Sequence, residues 1–313
     1  MSATSSFQPL RALASRGWQG PLLVLPSALL VFGIALVPIG VAIWQSTEER
    51  VLVFHVARFV GLGNYRFLLE DPRFWTALGN TAYFAVVSVI VEAALGLSFA
   101  LLLDASVPRR APDVAAIGGK PPWLGPALLR AAILVPWAIP SAISAKIWAW
   151  LYNPEYGLLP AIMPGPKVSW LGTPGYAMHA AILVDVWKTT PFVTLLFLSA
   201  LRGIPEELYR AAKLDGASAL RRFWSITLPL LKPAAALVLV LRTLDGFRVF
   251  DSIFVLTAGG PANTTETLSI YTYQTLMDAG QIGYGATLAV ITFVIILAIS
   301  VVYLALLGRE IGA

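Results

Sequence analysis

Residues Tyr209–Pro229, YRAAKLDGASALRRFWSITLP, form a polar and basic segment in a chain that is otherwise strongly apolar. Within this segment, an Ala211-Ala212 pair precedes Asp215-Gly216, and Ile226-x-Leu228-Pro229 follows after nine further residues. Over the whole chain 58% of residues are hydrophobic and only 12% are charged, whereas a soluble domain has about 25% charged residues. The segment therefore marks a place where the chain leaves an apolar environment.

The first half of this segment is predicted to be a short helix. Pro205-Glu206-Glu207 precedes it, and a proline followed by acidic residues favours a helix start, where the dipole is positive. Gly216 favours a sharp turn at the other end, because glycine adopts left-handed backbone conformations at little cost. We expect this helix to lie across the membrane surface and to fit a partner's groove; an ordinary basic interfacial helix is the alternative. The predicted packing side comprises Leu208, Ala211, Ala212 and Leu214.

The rest of the chain contains several stretches that exceed the roughly 20 apolar residues needed to cross a bilayer. The sequence therefore predicts an all-α membrane protein with six transmembrane helices. We place these spans at Pro21–Thr47, Ala77–Leu103, Ala131–Tyr152, Ala177–Leu201, Pro233–Gly260 and Ile282–Gly308. Between the first two spans, the aromatic and charged segment Gly61–Thr81 predicts a short interfacial helix.

The orientation of the six spans follows from the basic residues in the loops, which favour the cytoplasmic side. With the N-terminus inside, thirteen basic residues are cytoplasmic and five lie on the opposite side. The cytoplasmic set is Arg11, Arg16, Arg109, Arg110, Lys120, Arg130, Arg202, Arg210, Lys213, Arg221, Arg222, Lys232 and Arg309. The outer set is Arg50, Arg58, Arg66, Arg73 and Lys167. We therefore predict a cytoplasmic segment 1–20, a six-span domain 21–308 and a short cytoplasmic end 309–313.

Several classes of function are disfavoured by the residues that the chain lacks. It contains no cysteine, and its two histidines, His55 and His179, lack a His-Glu-x-x-His arrangement, so no metal site is predicted. Gly118-Gly119-Lys120 is followed by Pro121 and lacks the upstream glycine of an ATP-binding P-loop. The net charge of +5 is interpreted as topology and not as affinity for nucleic acid. We therefore expect a protein that is not an enzyme and binds no cofactor itself.

Charged residues inside two of the predicted spans mark a candidate binding site. Asp185, Lys188, Thr189 and Phe192 recur at i, i+3, i+4 and i+7, which places them on one helical face. Asp245, Arg248, Val249 and Ser252 repeat this spacing in the next predicted span. Charges at membrane depth are costly and normally face a cavity or one another.

The chemistry of these faces suits a sugar, because aromatic carbon can cover the ring while polar groups bind the hydroxyls. The alternative is a set of local ion pairs, Asp185 with Lys188 and Arg242 with Asp245, that serve only to pack the helices.

The polar segment resembles the EAA loop of importer-type ABC permeases, through which a membrane subunit contacts its ATPase. The resemblance extends from about Leu22 to the C-terminus and is closest to sugar importers of the maltose and trehalose type. Further matching stretches are GLGNY at 61–65, PWAIP at 136–140, WAWLYNP at 148–154 and LTAGGP at 256–261. The resemblance implies a type I ABC importer permease fold in a bacterial or archaeal cytoplasmic membrane, with both termini cytoplasmic.

The resemblance also implies partners. These are a second homologous permease, two copies of an ABC ATPase that bind ATP and magnesium, an extracytoplasmic sugar-binding protein, the sugar and the membrane lipid. In the loop at about 203–232, the residues implied to contact the ATPase are Glu207, Arg210, Ala211, Ala212, Asp215 and Gly216. The residues implied to contact the sugar are Asp185, Lys188, Thr189, Phe192, Asp245, Gly246 and Val249. Arg248 and Asp251 are added to this set because they are adjacent.

Two departures from the family pattern leave rival functions open. Arg210 stands where the family usually has a glutamate before the two alanines, and charged residues stand where amides are familiar in the sugar site. The alternative solute is an anion such as glycerol phosphate, which Lys188, Arg242 and Arg248 could bind. The other rival is an ion-coupled secondary transporter in which intramembrane aspartates carry protons.

Overall fold

The computed structural model describes residues 19–52, 54–106, 124–163 and 168–311. The helices in chain order are α1 (Gln19–Ser46), α2 (Gly63–Glu70), α3 (Pro72–Ser106), α4 (Leu124–Ala138), α5 (Ser141–Leu151), α6 (Leu158–Ile162), α7 (Tyr176–Gly203), α8 (Glu206–Leu214), α9 (Ala219–Arg222), α10 (Leu228–Phe247), α11 (Asp251–Leu256), α12 (Leu268–Tyr273) and α13 (Ile282–Ile311). Strands β1 (Glu48–Val51) and β2 (Val56–Phe59) follow α1, and π-helical turns at Phe223–Thr227 and Gln274–Asp278 precede α10 and α13. Several predictions fall outside the described residues: residues 1–18 of the predicted segment 1–20, residues 312–313 of the predicted end 309–313, and the basic residues Arg109, Arg110, Lys120 and Lys167.

The described residues contain five helices that are long and apolar enough to cross a membrane, and a bent pair that supplies a sixth span. This agrees with the six predicted spans in number and order. The third span, predicted as one helix at Ala131–Tyr152, is broken. Its two halves, Ala131–Ala138 and Ser141–Leu151, are bent by 101° relative to each other. Pro140 explains the break: it has no N–H to donate, and its ring disfavours helical geometry in the residue before it.

The fifth span also differs from the predicted Pro233–Gly260. The helix runs to Phe247 and stops, and it begins before Pro233, since the apolar stretch extends from Ala219 to Phe247. Arg248 has φ −103° and ψ 8°, which is outside the helical range, and a separate helix starts at Asp251. The prediction that Arg248, Val249 and Ser252 continue one helical face is therefore wrong.

The described residues contain a two-stranded hairpin that the all-helical prediction missed. Strands β1 and β2 pair antiparallel, with Glu48 opposite Phe59 and Val51 opposite Val56. Residues 48–59 alternate polar and apolar too irregularly to predict strands. The predicted interfacial helix Gly61–Thr81 is present only in part, as α2 after the hairpin, because residues 72–81 instead form the start of the membrane helix α3.

The membrane helices pack around α3 and α7, which run side by side in the same direction. Tyr83 contacts His179 near one end of this pair, and Arg202 pairs with Asp104 near the other. Gly96 of α3 permits close approach, because a Cβ there would overlap the side chain of Val193. The first end also carries the hairpin and is called the hairpin end; α8 and α9 follow α7 at the opposite end.

A polar cluster at the hairpin end ties the start of α3 to α12 and α13. Oδ2 of Asp71 accepts hydrogen bonds of 2.6 Å from the hydroxyls of both Tyr271 and Tyr284. Burial raises the pKa of the Asp71 carboxyl, but these bonds and two backbone N–H bonds outweigh it and hold the pKa below the ordinary value. Burial and the same bond raise the pKa of the Tyr271 hydroxyl to about 12. Beside them, Arg73 bonds to the buried Glu266.

Candidate functional site

A cavity of about 290 Å³ lies where the broken third span meets α7 and the end of α10. Three acids and three bases contribute to its wall, so a strongly polar space is enclosed by apolar helices. The lining residues are Trp137, Ser141, Asp185, Lys188, Thr189, Arg242, Asp245, Arg248, Val249, Phe250, Asp251 and Ser252. The breaks at Pro140 and after Phe247 create this space, because each ends a helix at membrane depth beside α7.

Arg242 is the centre of the ionic network in this wall. Its Nε donates to Oε2 of Glu92 at 2.6 Å, and its Nη2 donates to Oε1 of the same carboxylate at 3.1 Å. Both side chains are buried, with 6% and 0% of their surfaces exposed. A two-pronged guanidinium–carboxylate contact of this kind fixes both orientation and distance. Glu92 lies near the middle of α3, so the contact joins α3 to α10.

Two more guanidinium hydrogens of Arg242 are directed at two further carboxylates. Nη2 lies 3.0 Å from Oδ2 of Asp185, and Nη1 lies 3.2 Å from Oδ2 of Asp245. Asp245 also accepts a 3.1 Å bond from Nη2 of Arg248. The predicted local pair of Arg242 with Asp245 is therefore present on α10, and it belongs to a network that spans three helices.

Lys188 does not form the predicted salt bridge with Asp185. Its Nζ instead donates to the backbone oxygen of Ile139 at 2.7 Å and lies 3.4 Å from that of Trp137. These two carbonyls are available because the helix is broken at the proline that follows them. The local-pair interpretation is wrong for Lys188, because the break offers closer acceptors.

An aromatic pair adjoins the charged wall. The rings of Trp137 and Phe192 are stacked, with centroids 5.9 Å apart and planes inclined by 14°. Trp137 lines the cavity directly, and Phe192 supports it from α7. One side of the cavity is therefore flat and apolar, while the other presents ionic groups and the Thr189 hydroxyl.

The predicted sugar-contact residues are mostly brought together here. Asp185, Lys188 and Thr189 lie in the wall, and so do the residues contributed by the end of α10 and the turn after it, which are Asp245, Arg248, Val249 and Asp251. Gly246 lies elsewhere: it is buried against α3, where a Cβ would stand 2.9 Å from that of Ala85. Its position shows a packing role between α3 and α10.

Sequence reasoning assigned no role to Glu92, Trp137, Ser141 or Phe250. Glu92 could have been suspected, because it is the only charged residue of the predicted span Ala77–Leu103 and a lone intramembrane charge requires a partner. Trp137 lies in the PWAIP stretch, whose two prolines signal a bend. Ser141 and Phe250 carry no comparable signal.

The predicted coupling helix is present as α8, with Glu206 and Glu207 in its first turn. Gly216 has φ +74°, the left-handed conformation expected at its end. Arg210 donates to Glu206 one turn earlier at 2.9 Å, so an acidic group stays beside the position where the family usually has glutamate.

The predicted packing side of α8 is not buried within this chain. None of its residues is buried, and Leu214 is 90% exposed. Beyond the turn, Leu220 and Trp224 are 68% and 60% exposed. The segment therefore presents apolar side chains at the end of the bundle opposite the hairpin. Tyr209 holds it in place by a 2.9 Å bond to Thr227.

Multiple membrane spans, a polar cavity among them and a short exposed helix at one end define a membrane transport subunit. Residues 114–310 match the model of the family described as "Binding-protein-dependent transport system inner membrane component", and the chain belongs to this family.

Full-length relatives support the same assignment. The chain is 42% identical to the trehalose/maltose transport system permease protein MalF of Thermococcus litoralis over 288 residues, which cover 91% of this chain and 92% of that protein. It is 36% identical to the trehalose transport system permease protein SugA of Mycobacterium tuberculosis, over 92% and 88% of the two chains. It is also 33% identical to the sulfoquinovosyl glycerol transport system permease protein SmoG of Agrobacterium fabrum, over 92% and 90%.

The fold agrees with a solved structure. A chain of a bacterial ABC transporter involved in the import of the acidic polysaccharide alginate superposes with a TM-score of 0.78 at 20% identity, over 96% of this chain and 98% of that one. The architecture is that of a type I ABC importer permease, as predicted from the sequence.

Proposed function

We propose that this protein is the membrane-spanning permease subunit of an ATP-driven importer and that, with a second permease, it forms the path for a sugar, a disaccharide such as maltose or trehalose. The observation that carries the proposal is the cavity beside the broken span, which combines an aromatic wall with fixed hydrogen-bonding groups. The transport of trehalose and maltose by relatives up to 42% identical supports the choice of solute.

The bonding of the cations favours a neutral solute over an anion. Each cation of the cavity is already engaged by the protein: Lys188 by backbone oxygens, Arg242 by three carboxylates and Arg248 by Asp245. A phosphate would have to compete with these bonds, whereas sugar hydroxyls can add to carboxylates as donors. This argues against the alternative of a glycerol phosphate permease.

The exposed segment α8–α9 is the proposed contact with the ATPase. Its apolar side chains, Leu214, Leu220 and Trp224, are unpacked within this chain, and the acidic and basic residues among them can orient a partner. ATP and magnesium would be bound by the two ATPase copies, and this chain would bind no cofactor and hydrolyse nothing. Because ATP hydrolysis by the partner would then drive transport, the proposed ATPase contact also argues against an ion-coupled secondary transporter.

The exposed segment α8–α9 is connected to the cavity through the helices on either side of it, and this connection suggests how ATP binding could move the cavity walls. The segment joins α7 to α10, and these two helices contribute Asp185 and Arg242 to adjoining parts of the cavity wall, where the two side chains lie 3.0 Å apart. Movement of the segment on ATP binding would therefore displace both parts of the wall together and open the site to one side of the membrane. An extracytoplasmic binding protein would deliver the sugar at the hairpin end, with both termini of the chain in the cytoplasm of a bacterial or archaeal cell.

The test is reconstitution with a second permease, an ABC ATPase and a sugar-binding protein from the same organism. Proteoliposomes that contain both permeases and the ATPase should import labelled trehalose or maltose only with ATP inside and binding protein outside. Omission of the ATPase should abolish uptake. Uptake driven by an ion gradient without ATPase would contradict the proposal, and import of glycerol phosphate in preference to disaccharides would overturn the choice of solute.

A further inference from the structure

Glu92 lies behind the cavity and does not line it, yet it bonds to two groups that do. Its carboxylate is fully buried in α3 and accepts two bonds from Arg242. Oε1 also lies 2.6 Å from the hydroxyl of Thr189 on α7. One carboxylate thus holds cavity groups from two other helices.

The contact with Arg242 decides what that guanidinium can offer to a solute. Glu92 takes the Nε hydrogen and one Nη2 hydrogen, Asp185 takes the other Nη2 hydrogen, and Asp245 takes one of the two hydrogens on Nη1. Only 6% of the Arg242 side chain is exposed. The cation is therefore held against the wall, and its charge is balanced from behind.

The second contact of Glu92, with Thr189, also restricts what a cavity group can offer to a solute. Its hydroxyl has one hydrogen and two close oxygens, Oε1 of Glu92 and the backbone oxygen of Asp185, each at 2.6 Å. A hydroxyl directed at a carboxylate keeps its lone pairs free to accept. Either oxygen takes the single hydrogen, so Thr189 can act only as an acceptor toward a solute, and the Glu92 contact fixes its hydroxyl between α3 and α7.

The charge balance changes when Glu92 is counted. The wall carries three carboxylates and three cations, which balance formally when all are ionised, and Glu92 adds a fourth negative charge directly behind Arg242. Water is largely excluded from this region, so a charge there acts over several ångströms.

We propose that Glu92 is a positioning residue that sets the solute selectivity of the cavity: by neutralising and holding Arg242, it excludes anionic sugars and reserves the site for neutral ones. This inference rests on the proposed sugar-import function and adds to it a selectivity determinant outside the cavity wall.

The experiment compares neutral and anionic sugars on the assembled transporter. The wild-type complex of both permeases and ATPase in nanodiscs, without binding protein, is tested for equilibrium binding of labelled trehalose and of labelled trehalose 6-phosphate. Glu92→Gln keeps the size of the side chain and removes its charge. A unit charge roughly 8 Å from the ligand at an effective dielectric of about 20 alters affinity on the order of tenfold or more. We expect the preference for trehalose over its phosphate to fall by at least that factor in Glu92→Gln.

Two further variants separate selectivity from stability. Glu92→Asp keeps the charge and should retain most of the preference, although a shorter side chain reaches Arg242 less well. Glu266→Gln is the matched control, because Glu266 is also 1% exposed and also pairs with an arginine, Arg73, but far from the cavity. It should leave the preference unchanged. A general loss of folded protein lowers the binding of both sugars together and does not alter their ratio.

Three results would overturn the inference: an unchanged ratio in Glu92→Gln, an equal change in Glu266→Gln, or a loss of preference in Glu92→Asp as large as in Glu92→Gln. These outcomes leave the proposed function intact if the wild type imports the disaccharide. Failure of the wild type to import or bind any neutral sugar instead contradicts the proposed function itself.

Discussion

Trp137 and Phe192 stack at 5.9 Å although they belong to different spans, the first at the end of the broken helix and the second in the middle of α7. Trp137 lines the cavity. The contact adds to the packing of α4 against α7 and fixes the position of the Trp137 ring in the cavity wall.

Truncation of Phe192 should therefore weaken transport without disturbing assembly. A stacked aromatic pair contributes about 1 kcal/mol beyond the area that it buries, so Phe192→Ala should raise the apparent KM for sugar roughly fivefold. Basal ATPase activity and complex yield should be unchanged. Phe59→Ala is the control, since Phe59 is 70% exposed in the hairpin. Wild-type uptake across sugar concentrations in Phe192→Ala would place the sugar elsewhere.

Loss of Asp245 should be more severe than loss of Phe192. Asp245 bridges Arg242 and Arg248, and Asp245→Ala takes one acceptor from Arg248 and one from Arg242, which is buried. We expect maximal uptake to fall at least tenfold, with a smaller effect in Asp245→Asn. The control is Glu49→Ala, which removes an exposed pair with Arg58 and should cost little. Equal uptake in both alanine variants would show that the network does not serve transport.

Substitution of Gly216 should uncouple ATP hydrolysis from import. Gly216 has φ +74°, and no atom lies within 4 Å of the place that a Cβ would take, so valine there meets backbone strain alone. A left-handed residue other than glycine costs roughly 1–2 kcal/mol, and relief of that cost would reorient α8. Gly203→Val is matched, because Gly203 is equally uncrowded but helical. Normal import by an assembled Gly216→Val complex would remove the turn from the coupling mechanism.

The cluster around Asp71 predicts a pH-dependent stability. Its folded pKa is below the ordinary value of 3.8, so its contribution is complete above that value and is lost as the pH falls through the folded pKa. Asp71→Asn should lower the thermal midpoint at neutral pH, and the difference from wild type should shrink below about pH 4. The thermal midpoint is measured by tryptophan fluorescence of the protein in detergent. The exposed neighbour Glu70→Gln is the control; a difference that persists at the lowest pH would refute the assignment.

The orientation in the membrane can be tested directly, because the chain contains no cysteine. Cysteines introduced singly at Arg221 and at Thr264 should differ in access. An impermeant thiol reagent added outside cells should label position 264 and not position 221, since the basic loops favour the cytoplasm. Labelling at 221 from outside would invert the predicted topology.

The sequence predicted the spans well because apolar length is a local property. It predicted the coupling helix for a similar reason, since the acids at its start and Gly216 at its end act within a few residues. It could not show where a span bends or stops: charge-free length is the same for a straight helix and for one broken at Pro140. The pre-proline rule was the available signal.

The site was harder to predict because its contacts join distant parts of the chain. Spacing relates residues along one helix, and it correctly grouped Asp185, Lys188 and Thr189. The bond between Glu92 and Arg242 links residues 150 positions apart, and no periodicity encodes it. The spacing along α7 suggested Asp185 as the partner of Lys188. The actual acceptors are the backbone oxygens at the break in another helix.

The freed carbonyls at Trp137 and Ile139 have an evolutionary consequence. These main-chain oxygens fix the position of Lys188 in the cavity wall, and substitutions elsewhere in the wall leave them in place as long as the break at Pro140 persists. The side chains around this break can then diverge without closing the hydrophilic route through the membrane. A permease with this architecture can change the solute that it transports by a few side-chain substitutions. The helix break and its main-chain oxygens, on which transport of any solute depends, are inherited unchanged.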